Sequence, residues 1–189
     1  MTLNLKKMTG LFFMVLIGFS AHTARSRLVP PEKKINRILS HEAPFLPPET
    51  HSAIREATLE LSKKYRIDPL LIIAIMKIES SFRPHVQSNR GAIGLMQIKP
   101  IVVLDVASKL SLPSSQPREL LKNVHWNLRI GVHYLFQLLE RFDGDFWKAL
   151  TAYNHGPTSV AQRFKNRPAP SKGYAANVMN LYREFLAVN

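Results

Sequence analysis

Glu79 is a carboxylate at the end of a strongly apolar stretch of sequence. Residues 70–78 are almost all aliphatic, and Ile75 and Met76 lie one turn before Glu79 if the stretch is a helix. Loss of hydration would disfavour the charged form and raise the pKa of Glu79. A carboxylic acid that is protonated near neutral pH can serve as a general acid, for example toward a glycosidic bond. Position alone also allows the alternative that Glu79 lies beyond the buried part and is solvated.

Three sequence motifs begin at or follow Glu79. The first starts at Glu79 and reads E-S-S-F-R-P. The second starts at Ser88, nine residues after Glu79, and reads S-N-R-G-A-I-G-L-M-Q-I-K-P. The third occupies residues 152–157 and reads A-Y-N-H-G-P. Between the second and third motifs, Asn127 begins an N-x-x-x-G-x-x-Y-L pattern that ends at Leu135.

These motifs together closely resemble the catalytic domain of the soluble lytic transglycosylases, which has a lysozyme-like α fold. The resemblance covers nearly all of residues 51–189. It implies one catalytic acid/base, Glu79, and a set of substrate-binding positions. Those positions are Ser88, Met96, Gln97, Tyr153 and Asn154. Within this set, packing beneath Gln97 suits Met96 better than contact with a sugar. Gly91 and Gly94 match turn glycines, for which a backbone role is sufficient.

The resemblance also implies a reaction that consumes no water. Glu79 would protonate the oxygen that joins N-acetylmuramic acid to N-acetylglucosamine, while the muramic acetamido oxygen supports the developing cation. Glu79 would then accept the proton of the C6 hydroxyl as a 1,6-anhydro ring closes. Most glycosidases need two carboxyl groups, but the only other acids between Asp68 and Glu140 are Asp105 and Glu119. No metal or organic cofactor is required.

Two residues depart from the usual family pattern. Lys99 stands two residues after Gln97, where a cleft methionine is usual, and His155 follows Asn154, where alanine is usual. Both changes leave Glu79 in place but alter the side chains expected near the sugar. The details of the individual sugar-binding subsites therefore stay open.

Three other functions are compatible with parts of this pattern. A hydrolytic muramidase of the goose-type lysozyme class would share the fold and the glutamate but needs an acid to activate water. A non-catalytic wall-binding module would not need Glu79, Gln97 and the Tyr153–Asn154 pair. The role of an accessory enzyme that opens the wall for a secretion or pilus machine is compatible with a catalytic Glu79, but no motif in the sequence indicates such a partner.

Composition limits the partners of the chain. It has 189 residues with 26 Lys and Arg, 13 Asp and Glu, a net charge of +13 and no cysteine. The charge favours anionic surfaces such as lipid head groups or acidic wall polymers. Basic residues are scattered and no nucleic-acid motif is found, so we expect no nucleic-acid partner. The seven histidines show no H-x-x-H or H-x-x-x-H pair, and no metal site is predicted.

The N-terminus has the pattern of an export signal. Lys6 and Lys7 precede the apolar stretch 8–21, which is short for a membrane span, and small or polar residues continue to Ala24. Residues 1–24 are therefore predicted to be a signal peptide, or a short N-terminal anchor if they are not cleaved. Either outcome implies an exported protein in the periplasm or cell envelope.

The remaining sequence predicts a proline-rich basic linker over residues 25–48 and one mostly α catalytic domain over 49–189. The linker allows a short helical turn near residues 35–39. Asp68 and Asp145 are expected to cap helices, as are Thr50 and Asn127. The other predicted elements are a short helix over 95–98, a helix over 100–110, loops over 111–118 and 168–172, a helix end at Gly156-Pro157, and a final helix marked by Tyr174, Val178, Leu181 and Phe185.

Overall fold

Helices form nearly all of the regular structure in the computed structural model, which describes residues 29–112, 116–164 and 172–189. They are α1 (Pro31–Glu42), α2 (Pro48–Tyr65), α3 (Pro69–Ser80), α4 (Pro100–Leu110), α5 (Pro117–Lys122), α6 (Val124–Arg141), α7 (Phe146–His155), α8 (Pro157–Arg163) and α9 (Tyr174–Leu186). Extended pairing in these ranges is limited to isolated bridges of Ile93 with Gln87 and Ile98. No described helix is long and apolar enough to cross a membrane. The prediction of a mostly α fold is confirmed.

The buried helix at the centre of the fold is α3. The Asp68 carboxylate accepts the Leu70 N–H at 2.8 Å and Pro69 occupies the first turn, so the predicted cap is confirmed. Every residue from 70 to 76 is buried. The helix ends at Ser80, because Ser81 and Phe82 both have left-handed backbone conformations. Glu79 therefore lies in the last turn of a helix whose body is fully inside the core.

Helix α9 runs antiparallel to α3 and brings its first residue to the end of α3. Tyr174 contacts Glu79, whereas Tyr182, two turns later, lies by Asp68 at the start of α3. Helix α7 packs against both α6 and α9. Residues from α3, α7 and α9 consequently meet at one end of the bundle.

Residues 31–42 form a helix, so the linker prediction is wrong for this segment. Ile35, Ile38 and Leu39 of α1 are buried in the common core. Glu42 forms an ion pair with Lys77 of α3 at 2.6 Å. Clustered prolines favour a linker, but proline also fits the first turn of a helix, and here Pro31 and Pro48 open α1 and α2. The folded unit thus begins well before residue 49.

Several predicted helix boundaries are also wrong. Thr50 lies inside α2 and does not cap it, because that helix begins at Pro48. Helix α6 is capped by Asn123, whose side-chain Oδ1 accepts the Trp126 N–H, while Asn127 lies inside the helix and is buried. Residues 95–97 form turns in place of the predicted short helix. Helix α5 begins within the predicted loop 111–118. Helix α7 does end at His155, next to the predicted stop at Gly156-Pro157, but α8, which follows it, was not predicted.

Other boundaries agree with the sequence. Helix α4 spans the predicted residues 100–110, the Asp145 carboxylate caps α7 by accepting the Lys148 N–H, and α9 contains the expected apolar positions. The predicted export segment 1–24 lies outside the described residues, as does nearly all of the predicted loop 168–172.

Candidate active site

Glu79 lies where α3 emerges from the apolar core. Burial raises the pKa of Glu79 to about 7, and a hydrogen bond from Tyr174 opposes part of this rise. Burial is the larger cause, and no neighbouring charge of the described residues adds to the shift. At neutral pH a large fraction of Glu79 is protonated, which suits a general acid.

Tyr174 holds one oxygen of the Glu79 carboxyl group. Its hydroxyl donates to Glu79 Oε1 at 2.6 Å. Burial raises the pKa of Tyr174 well above its usual range, and the nearby Glu79 raises it further, so the hydroxyl stays a donor. Oε2 of Glu79 has no hydrogen-bond partner within the described residues. The carboxyl group is therefore fixed through Oε1, and Oε2 can exchange a proton with a substrate.

Three tyrosine rings form a row that ends at Glu79. Tyr134 and Tyr153 have ring centroids 5.6 Å apart, and Tyr153 stacks on Tyr174 at 6.5 Å with an interplanar angle of 7°. The Tyr153 hydroxyl donates to the Met96 carbonyl oxygen at 2.9 Å. Because a hydroxyl has only one proton, Tyr153 supports the row with its ring and has no proton left to donate to a sugar.

Gln97 is turned toward the protein backbone. Its side-chain Nε2 donates to the carbonyl oxygens of Val86 at 3.1 Å and Gly94 at 3.0 Å. Gln97 also has a left-handed φ of 48°. These two carbonyl partners of Nε2 fix the orientation of the Gln97 amide, and its Oε1 atom contacts neither of them. Gln97 can thus contact a sugar as a hydrogen-bond acceptor.

Met96 is fully buried, and this corrects its inclusion among the substrate-binding residues. The side chain is 0% exposed and packs against Gly131 of α6, where an added Cβ would lie 2.5 Å from Met96 Sδ. The Asn127 amide joins the loop to helix α5: Oδ1 accepts the Met96 N–H, and Nδ2 donates to the carbonyls of Ile93 in the loop and Leu121 in α5. Asn127 and Gly131 of the N-x-x-x-G pattern therefore anchor the loop.

Ser88 and Asn154 remain available for contact. Ser88 Oγ accepts the Ala92 N–H at 3.0 Å, which leaves the hydroxyl proton free, and no hydrogen bond joins Ser88 to Glu79 among the described contacts. Asn154 is exposed near the end of α7. The altered residues Lys99 and His155 are also exposed, at the start of α4 and the end of α7.

Comparison with known families shows the family to which the chain belongs. Residues 56–175 match the transglycosylase SLT domain family. The chain belongs to this family. The SLT match excludes α1, which nevertheless packs on the matched region through α2 and α3.

Two solved structures are similar to the chain. The inactive glutamate-to-glutamine mutant of lytic transglycosylase Slt from Pseudomonas aeruginosa has 26% identity and a TM-score of 0.55, over 71% of this chain and 22% of that one. The 70 kDa soluble lytic transglycosylase SLT70 from Escherichia coli has 28% identity and a TM-score of 0.58, over 68% and 24%. This SLT chain thus spans about a quarter of either protein, and its fold is the lysozyme-like α fold of the family.

Tyr174 is the site residue that sequence reasoning missed. Tyr174 is 95 positions from Glu79 in the sequence, and the sequence predicts only that it marks the last helix. A tyrosine at the first position of a helix gives no local signal of a partner so distant. The signal present in the sequence was indirect, because Tyr174 lies on the same face of α9 as the apolar residues Val178, Leu181 and Phe185.

Proposed function

We propose that the chain is a lytic transglycosylase that cleaves the glycan strands of peptidoglycan with Glu79 as its acid and base. The observation that carries this proposal is a partly buried carboxyl group with a pKa of about 7, held through one oxygen by Tyr174. The inactive relative, in which a glutamate is replaced by glutamine, supports a role for such a residue.

In the proposed reaction, Glu79 Oε2 donates its proton to the oxygen between the two sugars as the bond from that oxygen to the muramic C1 breaks. The acetamido oxygen of the substrate supports the positive charge at C1. The C6 hydroxyl then attacks C1, and its proton returns to Glu79. The product is a 1,6-anhydro end, and the proton balance closes without water or a cofactor.

The surrounding residues have separate parts in this proposal. Ser88 can donate a hydrogen bond, Gln97 Oε1 can accept one, and the exposed Asn154 side chain can do both. Tyr153 supports Tyr174 by ring contact and is not assigned a direct bond to sugar. The hydroxyl of Tyr174 stabilises the carboxylate form of Glu79, which is the form needed to receive the C6 proton.

Hydrolysis is the competing reaction. Two-carboxylate hydrolysis needs the second acid within about 10 Å of the first. Burial accounts for the raised pKa of Glu79, and no acid of the described residues adds to it. This environment supports attack by the substrate's own hydroxyl.

Digestion of purified sacculi in ¹⁸O-labelled water distinguishes the two reactions. We expect muropeptides with anhydro-muramic ends and no label, whereas labelled reducing ends would indicate a hydrolytic muramidase. Glu79→Gln should abolish release of either product while leaving the melting temperature close to that of the wild type. The matched control is Glu60→Gln, an exposed glutamate of α2 in no ion pair among the described residues, which should retain activity.

We also propose that the protein is exported and works in the periplasm or cell envelope. The support is the basic and apolar pattern of residues 1–24. N-terminal sequencing of protein from the envelope should find a mature chain that begins after residue 21 to 24, and intact Met1 in a membrane fraction would indicate a retained anchor. Participation in a secretion or pilus machine remains a separate hypothesis with no residue assigned to it.

A further inference from the structure

Two consecutive peptide groups at Leu95 and Met96 are held by side chains from three helices. Ser80 of α3 donates its hydroxyl to the Leu95 carbonyl at 2.9 Å. Asn127 of α6 accepts the Met96 N–H at 2.9 Å, and Tyr153 of α7 donates to the Met96 carbonyl at 2.9 Å. This loop segment is therefore a common attachment point for the helices around Glu79.

Two connections lead from this attachment point to the Glu79 carboxyl group. Ser80 is the neighbour of Glu79 in the chain, and it joins the end of α3 to Leu95. Tyr153 joins Met96 to the other side of the site, because its ring stacks on Tyr174, the donor to Glu79 Oε1. The loop thus fixes the carboxyl group and its donor relative to each other.

The end of α3 needs such an attachment. Helix termini lack the backbone hydrogen bonds of the helix interior and fray easily. Here the chain turns immediately after Ser80, with φ of 50° at Ser81 and 61° at Phe82. Ser80 Oγ is also 3.1 Å from the Met76 carbonyl, the usual contact of a serine with its own helix. The shorter contact, however, is with Leu95, outside the helix, and the side chain is buried.

We propose that Ser80 is a positioning residue that holds Glu79 within hydrogen-bond distance of Tyr174. Without the Ser80 hydroxyl, the last turn of α3 loses its bond to the loop, and the Glu79 carboxyl group moves away from the Tyr174 donor. The role of Glu79 in catalysis rests on the proposed function, but the position of its carboxyl group is a property of the folded protein and can be measured without substrate.

The test is a titration of Glu79 by NMR, with ¹³C-labelled glutamate side chains and Glu79→Gln for assignment. Tyr174 lowers the pKa of Glu79, so loss of its hydrogen bond in Ser80→Ala should raise that pKa, by roughly half a unit to one unit. Ser81→Ala is the matched control, because Ser81 is the next residue, is exposed, and has no side-chain hydrogen bond among the described contacts. In Ser81→Ala, Glu79 should have the same pKa as in the wild type.

A double variant separates positioning from general destabilisation. If Ser80 acts through Tyr174, adding Ser80→Ala to Tyr174→Phe should raise the pKa of Glu79 little beyond the effect of Tyr174→Phe alone. The proposal would be overturned if the pKa of Glu79 in Ser80→Ala equalled the wild-type value, or if the pKa shifts of the two substitutions added up in the double variant. If Ser80→Ala does not fold, Ser80→Cys provides a weaker donor of similar size; an intermediate pKa supports the proposal and an unchanged one refutes it. Inactivity of the wild type on sacculi would refute the proposed function and leave this titration unaffected.

Discussion

Tyr174→Phe removes one hydroxyl and keeps the stacked ring beside Glu79. The lost bond is a 2.6 Å contact to Glu79 Oε1, and bonds to charged groups contribute about 1.5–3 kcal/mol. One pKa unit corresponds to about 1.36 kcal/mol, so full loss of such a bond would raise the pKa of Glu79 by about 1 to 2 units. Since the protonated acid also accepts a weaker bond from Tyr174, we expect a rise of about 1 unit, from about 7 to roughly 8.

The pH dependence of kcat/KM on a soluble peptidoglycan fragment measures this shift. If protonated Glu79 begins the reaction, activity declines as pH rises through its pKa. The alkaline decline should therefore move from near pH 7 to near pH 8 in Tyr174→Phe. The control is Tyr182→Phe, the same change on the same helix at the Asp68 end of α3, which should leave the decline in place. An unmoved decline in Tyr174→Phe, or one at lower pH, would show that Tyr174 does not stabilise the Glu79 carboxylate.

Three further predictions concern the scaffold. Gly131→Ala places a Cβ 2.5 Å from Met96 Sδ, so it should lower the free energy of unfolding, measured by chemical denaturation, by about 1–3 kcal/mol. The double variant Gly131→Ala/Met96→Ala should recover part of this loss. Fully additive losses for the two substitutions would contradict the contact. The pKa of His133 is lowered, by burial first and then by nearby cations including Lys109. The unfolded chain therefore binds a proton at His133 more readily than the folded protein does, and the folded state loses stability as pH falls below the unfolded pKa of His133. Melting curves should show less acid destabilisation for His133→Phe than for the wild type, and equal slopes would refute this. Calorimetry should give a clearly lower melting temperature for residues 49–189 than for residues 29–189, because the shorter protein lacks the buried side chains of α1. Equal melting temperatures would show that α1 does not stabilise the fold.

Local sequence signals determined much of the scaffold. The aliphatic run 70–76 required a buried helix, and Asp68 and Asp145 marked helix starts through bonds to N–H groups only two or three residues away. The apolar neighbours of Glu79 in the same helix already predicted a raised pKa, and the resemblance of its motif to the lytic transglycosylases made it the candidate acid. These features depend on residues within a turn or two, which is the range over which periodicity and capping act.

Contacts between distant segments decided the rest. The prolines and charges of residues 25–48 gave no sign that α1 would find a place in the core beside α2 and α3. Asn127 has the residue type of a helix cap, yet the approach of the loop at Met96 makes it a buried anchor. The orientation of Gln97 and the pairing of Tyr174 with Glu79 likewise depend on where the loop and α9 pack. A hydrogen bond across 95 residues exists only once the intervening chain has folded, because no local preference specifies which distant donor will face a given carboxyl group.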